Sequence, residues 1–100
     1  MENLKKRFFL AYDFSSDKRR AQFVKILEKY GVRVQYSIFE FSLTPAREIE
    51  FFSRMKQKGF LKEVIGESIL IIPITKDTSK KIQRYGETID LFDRSGIFSI

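Results

Sequence analysis

Cysteine, histidine and tryptophan are all missing from the 100 residues, and proline occurs only twice. Without cysteine there is no disulfide framework, no thiolate zinc site and no cysteine nucleophile. Without histidine the commonest general base and metal ligand is gone, so any hydrolytic chemistry must rest on carboxylates and metal-bound water. Long apolar runs are missing too. The run Phe8-Phe9-Leu10-Ala11-Tyr12 stops at Asp13, short of the roughly 7–15 apolar residues of a secretory leader. Nothing approaches the ~18 consecutive apolar residues of a membrane span. The expectation is a cytoplasmic protein with no membrane partner.

What is present is basic and aromatic. Nineteen Lys and Arg stand against 13 Asp and Glu, a net charge of +6, and there are 11 Phe. A hydrophobic fraction of 43% is enough for a folded chain, and this length suits one domain with one modest core and no deep cleft. A basic surface on a small domain favours polyanion partners, although it also serves solubility.

Phe8 to Tyr12 reads as a central strand buried on both faces. Ser16 and Asp17 are N-cap residues, and Phe23, Ile26, Leu27 and Tyr30 then recur at helical spacing up to Gly31, a helix-stop residue. From Val32 to Leu43 the alternation slips phase, which predicts two strands, about 32–36 and 38–43, with a bulge or very tight turn near Ser37. Thr44-Pro45 opens a second helix with Ile49, Phe52 and Met55 as its apolar face, and Gly59 ends it. Ser68 to Ile74 is a strand whose Pro73 belongs at a sheet edge. Lys80 to Glu87 is a short fifth strand. The order predicts an α+β, ferredoxin-like (βαββαβ) domain over 1–87 with a tail at 88–100. Its sheet is antiparallel, both helices cover one face, and the other face is paired with a partner.

Asp13 follows a buried strand and precedes a helix start carrying Lys18, Arg19 and Arg20. Aspartate there is ordinary turn chemistry. Ser16 and Asp17 already supply the caps, however, so the Asp13 carboxylate is left over and could hold Mg²⁺ against a phosphodiester. One carboxylate is too few for an all-protein site, and a two-fold dimer would supply the second. Lys18, Lys25 and Lys29 form a stripe away from the apolar helix face, for solvent or for nucleic acid. Arg33 and Gln35, alternating with apolar neighbours, are expected on one sheet face, where Arg33 could meet phosphate. Phe39 is either core or a stacking ring.

Tyr-Asp at the end of the first strand, Asp-Lys-Arg-Arg at 17–20, and Tyr-Gly-Val-Arg-Val-Gln-Tyr-Ser-Ile-Phe-Glu at 30–40 follow one another in order. Leu-Thr-Pro-Ala-Arg at 43–47, Ile-Pro-Ile at 72–74 and Lys-Ile-Gln-Arg-Tyr-Gly-Glu at 81–87 complete the series. Together these motifs resemble the CRISPR-associated Cas-two family. The resemblance implies a homodimer in which the strand at about 81–86 joins the partner's sheet. It implies that Asp13 is the ligand of one Mg²⁺ (or Mn²⁺) shared across the dimer, and that Tyr12, Arg20, Arg33 and Phe39 take part in cleaving single-stranded RNA or double-stranded DNA. Some members carry another Arg where Gln22 stands here. It also implies work with the CRISPR integrase, Cas-one, in inserting foreign DNA into the repeat array. Three activities remain open: a metal-dependent phosphodiesterase, a non-catalytic DNA-bridging dimer, and a toxin-like messenger-RNA interferase.

Overall fold

The computed structural model describes residues 4–86, so the expected tail at 88–100 and Glu87 of the expected fifth strand lie outside the described residues. The elements run β1 (Lys6–Phe14), α1 (Asp17–Tyr30), β2 (Gly31–Gln35), β3 (Ile38–Leu43), α2 (Pro45–Gln57), β4 (Glu67–Ile74) and a short α3 (Lys76–Ser79). All pairings are antiparallel, in the order β2-β3-β1-β4. This is the expected ferredoxin-like arrangement with β4 at one edge, where Pro73 costs the sheet no inner hydrogen bond.

β1 is longer than its apolar run because it pairs on both sides, and it alternates instead of being buried throughout. Phe8, Leu10, Tyr12 and Phe14 are buried against the helices, while Phe9 and Ala11 are half-buried on the opposite face. The buried set meets Phe23, Leu27 and Tyr30 of α1 and Phe51 and Met55 of α2 in one aromatic core. Phe8 stacks on Phe41 at 4.8 Å and Phe14 on Phe23 at 4.7 Å. Each such ring contributes about 1.5–3 kcal/mol through burial alone. The α2 face differs from expectation. Phe51 and Met55 are buried, Phe52 is only partly covered, and Ile49 is exposed.

Ser16 caps α1 through its hydroxyl, which accepts from the Arg19 N–H, and Thr44 caps α2 in the same way from Arg47. Gly59, at φ 78°, ends α2 in the left-handed conformation that glycine favours. Gly31 works differently. Its backbone is extended, and a Cβ there would meet the Phe41 ring at 2.6 Å and the Glu40 carbonyl oxygen at 2.8 Å.

The β2–β3 connection is a tight turn at Tyr36-Ser37, and a register shift lies between Arg33 and Gln35. No described non-glycine residue has a positive φ. The type I′ geometry that suits two-residue hairpins is therefore not used, and the shifted register accommodates the turn. Arg33 consequently pairs with Phe39 on the helix side while Gln35 pairs with Ile38 on the other, so the two do not share a face as alternation suggested.

After α3 the chain crosses the open sheet face, where Ile82, Arg84 and Tyr85 line a cleft of about 260 Å³ with Phe9, Ala11 and Ile72. Residues 80–86 form no strand within this single chain. No described helix is long and apolar enough to cross a membrane.

Candidate functional site

Strand alternation decides the layout. Tyr12 and Asp13 are neighbours in β1, so their side chains leave opposite sheet faces. Asp13 is exposed on the open face opposite Ser68, and its carboxylate makes no hydrogen bond or ion pair with a described residue. Its lone pairs are thus available to a hard cation. Among the described residues no group of three or more acidic ligands exists. A Mg²⁺ held by Asp13 must complete its shell from water, phosphate oxygens or a second copy of the chain.

Tyr12, Arg33 and Phe39 come together on the helix side. The Tyr12 hydroxyl donates to the Tyr36 carbonyl at 3.2 Å, and Arg33 Nη2 donates to the Tyr12 hydroxyl at 3.3 Å. The Tyr12 N–H bonds the Ser37 carbonyl at 3.1 Å, so one residue pins the turn twice. Arg33 lies 5.3 Å from the Phe39 ring centroid and 5.7 Å from that of Tyr36. Phe39 itself is 1% exposed. It supports Arg33 from below and offers no ring face to a base.

Arg20, on α1, is held at the same end of β1. It donates to the Phe14 carbonyl and to Asp17 Oδ1, both at 2.7 Å. The Asp17 hydrogen bond raises its pKa against the opposing effect of burial. The Asp17 charge adds to this, with smaller contributions in the same direction from Tyr36 and Tyr12. Lys18 and Lys25 are exposed two helical turns apart, with the exposed Gln22 between them.

Arg19 is engaged inside the protein. Its guanidinium grips Glu67 by two hydrogen bonds of 2.7 and 3.0 Å, donates to the Gly59 and Lys58 carbonyls, and lies 4.2 Å over Phe60. It fastens the loop before β4 to the start of α1. The Arg19 hydrogen bonds and charge, with Lys62, hold the Glu67 carboxyl below its ordinary pKa against the effect of burial.

Two residues escaped the sequence reading. Tyr36 is 73% exposed beside Arg33. Glu40, on the open face, is 1% exposed and binds Arg7 and Arg84, each at 2.9 Å. A lone acid inside Ile38-Phe39-Glu40-Phe41 was the available signal, since a buried charge requires partners.

Comparison with known proteins gives a consistent result. The family described as CRISPR associated protein Cas2 matches residues 6–82. A CRISPR-associated endoribonuclease Cas2 of Synechocystis sp. is 32% identical over 80 residues, covering 80% of this chain and 84% of the relative. Among solved structures, a chain of a partial Cas6-RT-Cas1–Cas2 complex superposes with a TM-score of 0.65 at 35% identity, over 79% of this chain and 89% of that one. A crystal structure described as cas2 superposes with a TM-score of 0.61 at 25% identity, over 85% of this chain and 91% of that one. The motifs, the βαββαβ sheet and the extent of these matches agree: the chain belongs to the CRISPR-associated protein Cas2 family.

Proposed function

We propose that this protein acts in CRISPR adaptation as a homodimer partnered by the CRISPR integrase, and that Asp13 gives it metal-dependent endonuclease activity on RNA or DNA. The observation that carries the nuclease reading is the unengaged Asp13 carboxylate, exposed on the open sheet face, where the acid Glu40 is by contrast held by Arg7 and Arg84. Leu70 and Ile72 are 58% and 45% exposed on that face, opposite Ala11 and Phe9. Packing against a second copy would cover them and bring two Asp13 carboxylates near one axis. Mg²⁺ or Mn²⁺ bound there would supply an activated water and charge stabilisation. The chain's own residues do the rest: Arg20 and Arg33, each fixed by hydrogen bonds, grip phosphate oxygens, and Tyr12 orients Arg33. The adaptation role draws support from the family and from the Cas1–Cas2 assembly in which a similar chain was solved.

A second reading, a DNA-bridging strut without catalysis, is favoured by the exposed Lys18 and Lys25 stripe, which suits backbone contacts. One experiment separates the two. Asp13→Ala should abolish Mg²⁺-dependent cleavage of single-stranded RNA and double-stranded DNA while leaving spacer integration with the cognate integrase intact. Undiminished cleavage by the variant refutes a catalytic Asp13, and lost integration refutes the strut as an independent role.

A further inference from the structure

We propose that Tyr36, with Arg33 and Arg20, forms a subsite for one unpaired nucleotide of a single-stranded nucleic acid, its base stacked on the Tyr36 ring and its phosphate held by the two guanidiniums. This deepens the reading of the chain as a nucleic-acid-processing protein and rests on it. The Tyr36 ring is 73% exposed at the β2–β3 turn, a large apolar surface with no core to fill. It is not loosely held. The Tyr36 carbonyl accepts the Tyr12 hydroxyl at 3.2 Å and the next carbonyl accepts the Tyr12 N–H at 3.1 Å, so the turn presenting the ring is fixed from β1. A preorganised platform loses little conformational entropy on binding.

Arg33 lies over one face of the ring at 5.7 Å, so a base would stack on the other face, and it spends one donor on Tyr12. A guanidinium has five N–H donors, so Arg33 can still engage a phosphate. Arg20, bonded to the Phe14 carbonyl two residues beyond Tyr12, adds a second positive charge at the same end of β1. An aromatic face flanked by cations matches what single-strand binders use: every unpaired base has a π-face, whereas bases within a duplex are already stacked on their neighbours. The subsite lies on the helix side of the sheet, opposite Asp13, so it positions a strand and does not touch the proposed metal.

The test is fluorescence anisotropy with end-labelled oligo(U), oligo(dT), an abasic oligomer and a duplex of equal length, in EDTA to prevent cleavage. Tyr36→Ala keeps the backbone carbonyl that holds Tyr12, so the fold is retained. It should weaken binding of oligo(U) or oligo(dT) by about tenfold, leave the duplex and the abasic strand within twofold, and be rescued by Tyr36→Phe. A loss in either single-strand arm supports the subsite, and the arm with the larger loss identifies the strand. Unchanged binding of both single strands by Tyr36→Ala, or an equal loss on single strand and duplex, overturns it while leaving the nucleic-acid reading in place. A wild-type protein that binds none of the four probes overturns both.

Discussion

Among the described residues, Glu40 should be the most sensitive charged position. Its carboxylate is buried to 1% exposure and splits its oxygens, Oε2 to Arg7 and Oε1 to Arg84, at 2.9 Å each. The two arginines are themselves mostly covered, at 24% and 16% side-chain exposure. Glu40→Ala therefore removes an anion that Arg7 and Arg84 both bind, in a site where water compensates poorly. Breaking a buried pair from one side typically costs about 3–5 kcal/mol. For a domain of this size each kcal/mol lowers Tm by about 4–8 °C, so the loss should reach about 12 °C or more. Thermal unfolding followed by circular dichroism, at one fixed protein concentration because association would shift Tm, measures it directly. Arg84→Ala should cost less, because Glu40 keeps Arg7. Arg84 also ties the segment carrying Ile82 and Tyr85 across the sheet, so Glu40→Ala and Arg84→Ala should both expose that segment to limited proteolysis. A Glu40→Ala protein melting within about 3 °C of wild type would refute the reasoning, because no buried ion pair of this geometry could then be stabilising the fold.

Two further predictions concern stability. The Glu67 pKa is lowered in the folded protein, so its contribution is fully present above its unfolded value of 4.5 and is lost as pH falls through the lower folded value. Acid titration of Glu67→Gln should accordingly show a shallower loss of stability below that pH than wild type, and parallel curves would show that the Arg19 contact contributes nothing. Gly31→Ala places a methyl against the Phe41 ring and the Glu40 carbonyl and should destabilise by about 1–3 kcal/mol through overpacking; an unchanged midpoint in urea would show that β2 shifts freely.

Much of this was legible because local pattern and tertiary burial agreed. Phe23, Ile26, Leu27 and Tyr30 are the buried face of α1, and Thr44-Pro45 starts α2. The α2 face was not legible. Ile49-Phe52-Met55 and Phe51-Met55 are both acceptable helical spacings, and only the angle of α2 over Phe8 and Phe41 selects the second. α3 was missed because its signal is a Thr75–Thr78 capping box of four residues with no apolar period. Arg19 and Arg20 look equivalent in the sequence. Their different roles depend on Glu67, 48 residues on from Arg19, and on the Phe14 carbonyl, six before Arg20. The family resemblance assigns Asp13 and Tyr12 to one site, yet their adjacency within a strand sends their side chains to opposite faces.

That separation constrains any substrate that meets both groups. If two copies pack through their open faces, the Asp13 carboxylates lie toward the interface while Tyr36, Arg33 and Arg20 remain on the helix side of each sheet. A nucleic acid reaching from one to the other must pass around the C-terminal end of β1, where Tyr12 and Asp13 are consecutive. A stiff duplex resists so sharp a turn, since its persistence length is about 150 base pairs, whereas an unpaired strand makes it readily. Cleavage at the proposed Asp13 site, coupled to capture at Tyr36, would thus favour single strands, or duplexes melted locally at that end of β1. The exposed Lys18 and Lys25 stripe on α1 requires no such bend. Duplex binding and strand cleavage can therefore use different surfaces of the same small protein, which is why loss of Asp13 and loss of the lysines should have separable consequences.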